Sequence, residues 1–253
     1  MNKESSCICK NCNNPVDNNY CGFCGQSAKT GRINLHYFIH EIQHSLLHID
    51  KGILYTTKEL LIRPGVTIRE YLNGKRVNHF KPFAFVIILG TIYTFVAHFF
   101  NLYPENEIIT FELSNHQEVA NINKVIIDWI YSHYSLIMLS LIPFSAIASY
   151  IIFRKKGYNY PEHIIIYSYI TGIQILLLLI AYPLYYFLHF TSTYYIILSL
   201  SFIYNIIVLV LLFKDRSWFI TTLKALLSIM LSTTFIFIVS IIISILVALS
   251  KYG

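Results

Sequence analysis

Charged side chains are scarce in this 253-residue sequence: only 13% of the residues are Asp, Glu, Lys or Arg, against about 25% in soluble proteins. Hydrophobic residues make up 55% of the chain. Several apolar runs reach the length of about 20 residues that crossing a bilayer requires. The composition therefore excludes an ordinary soluble domain and predicts an integral membrane protein.

An apolar run is also missing from the start of the chain, MNKESSCICK, which is polar throughout. A cleavable secretory signal peptide needs such a run. We therefore expect the first membrane span to act as the insertion signal.

The apolar runs predict an all-α membrane fold with interfacial amphipathic helices before its spans. A zinc ribbon is expected over residues 1–28, a cytoplasmic or interfacial helical segment over 33–81, and a five-helix transmembrane domain over 82–253. The five spans are expected near residues 82–100, 134–153, 164–188, 194–213 and 226–249.

Basic residues are nearly absent from alternate loops. Of the 19 Lys and Arg residues, 17 precede the first span or follow the second and fourth spans. The loop after the first span instead carries Glu105, Glu107, Glu112, Glu118 and Asp128. Because cytoplasmic loops retain positive charge, we expect a multi-pass protein of the bacterial inner membrane with a cytoplasmic N-terminus and an outside C-terminus. Topology explains the net charge of +6, so nucleic acid is not an expected partner.

The predicted spans contain no Asp, Glu, Lys or Arg deep in the bilayer. Ion-coupled transporters and pumps usually place such groups at mid-membrane, so this absence argues against them. Gln174 and Asn205 are expected to link helices. A transporter of an uncharged or lipid-like solute stays open as an alternative. Phosphate-binding loops, Ser-His-Asp arrangements and paired catalytic carboxylates are also not visible, which favours a non-enzymatic protein.

Cysteine is absent after residue 24, and the five cysteines present lie close together. Four of them form two Cys-x-x-Cys pairs that predict one tetrahedral, structural zinc ion: Cys9, Cys12, Cys21 and Cys24. Gly22 and Gly25 are expected where the knuckle backbone turns tightly. Disulfides or free thiols are the alternative, which a reducing cytoplasm disfavours. Cys7 is interpreted as a spare thiol.

The ribbon is too short to build a hydrophobic core, so we expect it to fold only with metal. Four cysteine ligands close the coordination sphere, which makes catalysis at this zinc unexpected. The nearby basic residues are too few and scattered to indicate nucleic-acid binding. A structural or docking role follows.

The segment INLHYFIHEIQHSLLHID has a histidine at every fourth position, opposite an apolar stripe. This pattern predicts an amphipathic helix at the membrane surface or against the bundle. It contains His40-Glu41-x-x-His44, the pattern in which two histidines bind zinc and the glutamate acts as general base. The pattern has no recognisable third ligand. Three interpretations stay open: a solvated polar face, a non-catalytic metal or pH-sensing face, and a zinc hydrolase with Glu41 as its catalytic residue.

A longer stretch, HIDKGILYTTKELLIRPGVTIREYLNGKRVNHFKP, resembles the signature of the bacterial domain-of-unknown-function family 3667. The matching residues are Asp50, Gly52, Thr56, Pro64, Tyr71, Gly74, Lys75, Arg76 and Pro82. A second match is Tyr160-x-Glu162-His163. The resemblance implies an N-terminal zinc knuckle followed by several membrane helices, and it implies no activity. The layout also resembles Yip-type membrane domains, at the level of architecture only.

Several of these residues are expected at the cytoplasmic membrane boundary. Pro64 suits the first turn of a short helix, and Gly74 suits the left-handed residue that ends it. Lys75, Arg76, Glu162 and His163 are candidates for binding an anionic lipid headgroup or a small ligand. The shared boundary suggests a contact between Glu162 and Arg76, or between His163 and Asp50.

Together these features predict a non-enzymatic membrane scaffold or adaptor, whose ribbon and basic cytoplasmic face bind a protein or lipid partner. The membrane-associated zinc hydrolase and the transporter are the alternatives.

Overall fold

The computed structural model describes residues 7–34, 52–99, 129, 132–188, 192–214 and 217–252. Two short strands begin the described chain, β1 (Cys7–Ile8) and β2 (Pro15–Val16). Seven α-helices follow within the described residues: α1 (Gly52–Ile62), α2 (Pro64–Leu72), α3 (Pro82–Phe99), α4 (Tyr134–Phe153), α5 (Tyr160–Leu188), α6 (Ser192–Phe213) and α7 (Trp218–Tyr252).

The two strands form an antiparallel pair with Cys7 opposite Val16. The interior of this N-terminal module is small, with Cys9, Val16 and Cys21 as its buried members. The predicted ribbon is therefore present as a compact unit that has almost no apolar core of its own.

Helices α1 and α2 form a short hairpin ahead of the first long helix. Pro64 occupies the first turn of α2, as predicted. Gly74 has a φ of +106°. Around it, the Gly74 N–H donates to the Tyr71 carbonyl and the Lys75 N–H to the Glu70 carbonyl, at 3.1 and 2.9 Å. This is the Schellman pattern that ends a helix on a left-handed glycine, so the predicted role of Gly74 is confirmed.

Five helices, α3 to α7, are long and apolar enough to cross a membrane. They confirm the predicted number of spans. Helix α5 is central, because 67% of its span is buried, against 17% for α7. The main differences from the predicted spans are at the starts of α5 and α7, which begin at Tyr160 and Trp218 instead of residues 164 and 226.

Glycine permits close packing between the hairpin and the bundle. A Cβ atom added to Gly65 would lie 2.7 Å from the Leu211 Cβ and 2.9 Å from the Leu211 carbonyl carbon. A side chain at this position would have to displace backbone, so α2 can approach the end of α6 only with glycine here. Arg69 strengthens the same contact by donating to the Leu211 and Leu212 carbonyls at 3.1 and 2.9 Å.

The short loops bring several helix ends to one end of the bundle. Phe153 at the end of α4 stacks on Phe213 at the end of α6, with ring centroids 4.3 Å apart. The Tyr169 hydroxyl of α5 donates to the carbonyl of Phe80, just before α3, at 2.8 Å. We call this the ribbon end of the bundle: the start of α3, the end of α4, the start of α5, the end of α6 and the start of α7.

Candidate metal centre and its docking on the bundle

The four cysteines predicted as ligands lie together in the N-terminal module. The Sγ atoms of Cys9, Cys12, Cys21 and Cys24 lie within 4.8 Å of one another. The Cys9–Cys24 and Cys12–Cys21 sulfur pairs are 3.6 and 3.5 Å apart, and all four are free thiols. Four sulfurs at about 2.3 Å from one tetrahedral zinc would be about 3.8 Å apart. The arrangement fits a single metal ion held by four thiolates.

Each Cys-x-x-Cys pair is built by the same backbone pattern. The N–H of the first cysteine donates to the carbonyl five residues later, Cys9 to Asn14 at 2.9 Å and Cys21 to Gln26 at 2.8 Å. The residue after the second cysteine is left-handed, with φ values of 60° at Asn13 and 74° at Gly25. Gly25 therefore takes the tight turn predicted for it.

Gly22 was expected to share that turn. Its φ does not fall in the left-handed region, and Asn13 fills the turn position of the first pair. Asn is the residue other than glycine that most readily adopts this conformation. An Asn directly after Cys12 could therefore have indicated this turn from the sequence.

The thiols are unequally ready to ionise. A backbone hydrogen bond from Asn14 lowers the pKa of Cys12 to about 6, and the Asn14 side chain also donates to its sulfur at 3.4 Å. Burial raises the pKa of Cys24 to about 11. Four adjacent sulfurs cannot all carry negative charge without a cation among them. A bound metal would supply that charge.

Cys7 lies apart from the four-sulfur cluster. Its thiol is 3.8 Å from the Val16 carbonyl across the strand pair, and the residue is exposed. Its position agrees with the interpretation of Cys7 as a spare thiol.

The module is docked on the ribbon end through Gln26, which is buried. The Gln26 Nε2 donates to the Gly74 carbonyl at 2.8 Å, and its Oε1 accepts from the Arg76 N–H at 3.1 Å. One amide therefore bonds to the backbone on both sides of Lys75, in the turn that ends α2. The Arg76 guanidinium donates in return to the Gly31 carbonyl at 2.9 Å.

A second contact joins the segment after the knuckles to the start of α5. Arg32 donates to both carboxylate oxygens of Glu162, at 2.8 and 2.7 Å. Asn159 donates through its Nδ2 to the Ile33 carbonyl at 2.8 Å. Ile33 itself is fully buried and belongs to the main core of the bundle. The module and the membrane helices thus share hydrogen bonds, an ion pair and apolar packing.

Glu162 also begins helix α5. The Asn159 Oδ1 accepts from the Glu162 N–H at 2.9 Å, and a Glu162 oxygen accepts from the Asn159 N–H at 2.7 Å. This reciprocal pair is a capping box. Sequence reasoning overlooked it, although Asn159-Tyr-Pro-Glu162 before an apolar run carries its signature. The cation paired with Glu162 in the structure is Arg32, whereas the sequence had suggested Arg76.

The other headgroup candidates are also engaged within the protein. Lys75 Nζ donates to a Glu70 oxygen at 3.0 Å, which lowers the pKa of Glu70. His163 is fully buried. Its Nδ1 lies 2.8 Å from the Ser149 Oγ, and its ring stacks on Phe213. A headgroup site built on Lys75, Arg76, Glu162 and His163 stays a prediction.

The second predicted metal pattern, His40-Glu41-x-x-His44, lies outside the described residues, as does Asp50. The structure therefore neither supports nor weakens the hydrolase interpretation or the suggested His163–Asp50 contact.

The class of protein defined so far is a bundle of five membrane-spanning-length helices that carries a four-cysteine knuckle module at one end. Residues 50–94 match the family described as "Protein of unknown function (DUF3667)". This match confirms the resemblance seen in the sequence, over that part of the chain. No curated protein and no solved structure matches the chain.

The matched segment covers the α1–α2 hairpin and the first 13 of the 18 residues of α3. Several of its signature residues have a structural role there. The Thr56 Oγ1 accepts from the Phe80 N–H at 2.7 Å, which closes the hairpin against the start of α3. Tyr71 is buried edge-on to Tyr169 at 5.5 Å. Gly74 and Arg76 form the turn that Gln26 contacts. The matched segment therefore includes the turn on which the knuckle module docks and residues that pack beneath it.

Proposed function

We propose that this protein is a non-enzymatic adaptor of the bacterial inner membrane, in which a zinc-stabilised knuckle module presents a binding surface to a cytoplasmic protein partner. Zinc is the metal proposed because four cysteines in tetrahedral arrangement form closed structural sites with it. A closed coordination sphere leaves no position for a substrate, which favours structure over catalysis.

The observation that carries the proposal is that the module has two different sides. One side is fixed to the bundle through Gln26 and Arg32. Elsewhere on the module three large apolar side chains are exposed: Ile8 at 71%, Tyr20 at 66% and Phe23 at 76%. Exposed aromatic residues on a rigid support are typical of protein-binding surfaces. We infer that Ile8, Tyr20 and Phe23 contact the partner.

The orientation follows from charge. The ribbon end carries Arg154, Lys155, Lys156 and Lys214, and the rule that positive loops stay inside supports a cytoplasmic position for this end. The knuckle module would then lie in the reducing compartment, where thiols stay available for metal.

Site-specific photocrosslinking in intact cells tests the proposal. A photoreactive amino acid is placed at Phe23 or Tyr20, and at Asn18 as the matched control, because Asn18 is exposed on the same module. We expect a discrete protein adduct from Phe23 and Tyr20 and none from Asn18. The Phe23 adduct should disappear when Cys12→Ser removes a metal ligand. Equal labelling at all three positions, or no adduct at Phe23, would contradict the adaptor function.

A further inference from the structure

The α1–α2 hairpin runs along the membrane helices. Helix α1 begins at the ribbon end, where a Cβ atom added to Gly52 would lie 3.0 Å from the Asn78 carbonyl oxygen. It ends beside the middle of α6, where the Tyr204 hydroxyl donates to the Leu60 carbonyl at 3.1 Å. Tyr204 lies nine residues before Phe213, the last residue of α6, which is about 13 Å along that helix. Helix α1 therefore points from the ribbon end toward the middle of α6.

The turn between α1 and α2 is flanked by contacts with the apolar part of α6. The stretch of α6 that could cross a membrane ends at Phe213, so the membrane boundary is expected near that residue. Before the turn, Leu60 contacts α6 at Tyr204. After the turn, Gly65 packs against Leu211, two residues before Phe213. Both flanks of the turn therefore lie on the membrane side of the boundary.

Backbone carbonyls near this turn are bonded by groups of the protein. The last four carbonyls of a helix have no partner within it, and in lipid no water can replace that partner. Here the Glu59 carbonyl accepts from the Arg63 N–H and the Thr67 hydroxyl, at 2.9 and 3.1 Å. The Leu60 carbonyl accepts from the Tyr204 hydroxyl, and the Arg63 carbonyl accepts from the Thr67 hydroxyl at 2.9 Å. These bonds meet the requirement for a turn within the hydrocarbon of a membrane.

Charged side chains near the turn form ion pairs with one another. Arg63 pairs with Glu59, four residues earlier, and lies 3.7 Å from Glu70. Lys75 pairs with the other carboxylate oxygen of Glu70 at 3.0 Å. Two carboxylates thus balance two cations, and removing an ion from water costs less when the ion is paired. Lys58, on the outer face of α1, has a stem long enough for its ammonium to reach toward the boundary.

The outer face of the hairpin is mainly apolar. Its exposed apolar residues are Leu54, Tyr55, Leu61, Ile62 and Val66. Large exposed apolar patches mark sites of interaction with membranes or proteins. On α6, Ile203 and Ile207 are also exposed, one residue before and three residues after Tyr204. Because Tyr204 contacts the end of α1, the outer face of the hairpin is continuous with the lipid-facing surface of α6.

We propose that the α1–α2 hairpin is a re-entrant membrane element, whose turn inserts into the bilayer leaflet at the ribbon end and whose outer face contacts lipid acyl chains. The sequence had indicated only a cytoplasmic or interfacial segment over residues 33–81. A re-entrant hairpin differs from a hairpin lying on the surface because the end of α1 is deeper than its start. The proposal does not depend on the adaptor function, since the contacts that carry it join α1 and α2 to α6.

Fluorescence quenching in proteoliposomes measures the depth of the hairpin. The chain has two tryptophans, so the full-length protein with Trp129→Phe and Trp218→Phe is the background for single-tryptophan variants. Phosphatidylcholine brominated in the middle of its acyl chains quenches from the hydrocarbon, and acrylamide quenches from water. We expect the brominated lipid to quench Ile62→Trp as strongly as Phe202→Trp, on the exposed surface of α6. Acrylamide should quench Ile62→Trp less than Phe23→Trp, on the exposed surface of the knuckle module.

Leu54→Trp is the matched variant at the other end of α1. Leu54 is 79% exposed and Ile62 is 67% exposed, and the two are eight residues, or about 12 Å, apart along the helix. The brominated lipid should quench Leu54→Trp less than Ile62→Trp. Equal quenching at the two positions would mean that the hairpin lies flat on the membrane surface. Acrylamide quenching of Ile62→Trp as strong as that of Phe23→Trp would mean that the turn is in water. Either result would overturn the proposal.

Photocrosslinking keeps the proposal testable if Ile62→Trp does not fold. A photoreactive amino acid is placed at Leu61, on the same outer face, in the otherwise unchanged full-length protein in proteoliposomes. After activation, mass spectrometry of the digested protein should detect a covalent phospholipid adduct at Leu61 and none with the same amino acid at Phe23. An adduct that joins Leu61 to another segment of this chain or to a second copy would mean that protein covers the face. That result, or no lipid adduct at Leu61, would refute the insertion of the hairpin.

Discussion

Gln26 illustrates how one side chain joins the knuckle module to the bundle. Its amide donates to the Gly74 carbonyl and accepts from the Arg76 N–H, so both of its polar ends are satisfied while it is buried. Burying an amide costs free energy unless such bonds form. The turn at Gly74 presents these two backbone groups because α2 ends there on a left-handed residue. A local helix ending thus creates a specific docking site.

His79, in the same region, should make the stability of the protein depend on pH. It is buried between Tyr55 and Tyr71, and burial lowers its pKa below the ordinary value. The unfolded chain therefore binds a proton more readily than the folded one. Stability contributed by neutral His79 is complete above about pH 6.5 and falls as the pH drops below that value toward the folded pKa.

Replacing His79 by Phe should weaken this dependence. We expect the unfolding midpoint of His79→Phe to fall less than that of the wild type between pH 7.5 and pH 5.5, measured in detergent. His98→Phe is the control, because His98 is exposed at the end of α3, and its profile should follow the wild type. A His79→Phe profile as steep as the wild-type profile would show that burial of His79 does not produce the effect.

Among the elements, the long helices were the most predictable. Runs of apolar residues at bilayer length identified all five, because the membrane imposes both length and composition. Their starts were less predictable. Hydropathy detects the part of α5 that crosses the bilayer, but the helix begins at its capping box, four residues earlier than predicted. A hydropathy average over a window of residues does not detect polar capping residues, so these have to be identified as separate sequence motifs.

The four-cysteine cluster was predictable for another reason: its spacing is local, and metal geometry restricts it tightly. The docking of the module was not predictable. The Arg32–Glu162 pair joins residues that are 130 positions apart, and its formation depends on how α5 packs against the hairpin. The sequence suggested Arg76 as the partner because Arg76 and Glu162 were both expected at the cytoplasmic membrane boundary. In the structure, the Arg76 guanidinium instead donates a hydrogen bond to the Gly31 carbonyl.

The Arg32–Glu162 pair should control whether the module stays docked. Glu162 is buried, and Arg32 is exposed. Replacing Arg32 with Gln leaves a buried carboxylate with fewer partners, which we expect to cost on the order of 1–3 kcal/mol. Backbone amides of residues 26–34 should then exchange hydrogen faster, measured by mass spectrometry on the purified protein, while α5 beyond its first turn keeps its protection.

Lys29→Gln is the matched control for Arg32→Gln. Lys29 is an exposed cation three residues earlier in the same segment, so it tests loss of charge without loss of the pair. Its exchange should equal that of the wild type. Faster exchange in both variants would mean that overall charge holds the module, and unchanged exchange in Arg32→Gln would mean that Gln26 and Ile33 suffice.

At the scale of the whole molecule, one end of the bundle gathers the knuckle module, the hairpin and most of the basic residues. We expect the five helices of spanning length to place the two ends of the chain on opposite sides of a membrane. A reporter fused after Gly253 should therefore report outside, and one inserted at Lys155 should report inside. A fusion after Phe213 should agree with the Lys155 fusion, since α4 and α6 end on the same side. A cytoplasmic signal from the Gly253 fusion would mean that the chain crosses an even number of times.

The metal content of the whole molecule separates the adaptor from a zinc hydrolase. The four-cysteine cluster accounts for one ion, and a site on His40 and His44 would need a second ion with a third ligand. We expect one tightly bound zinc per chain in the purified protein, measured by elemental mass spectrometry, because one closed thiolate site fits the geometry. Single Cys→Ser changes at Cys9, Cys12, Cys21 or Cys24 should release it, and Cys7→Ser, the control, should not.

Glu41→Gln should leave the zinc content and any cellular phenotype unchanged. Two zinc ions per chain, together with a phenotype lost in Glu41→Gln but normal folding, would make the histidine helix an active site and refute the adaptor.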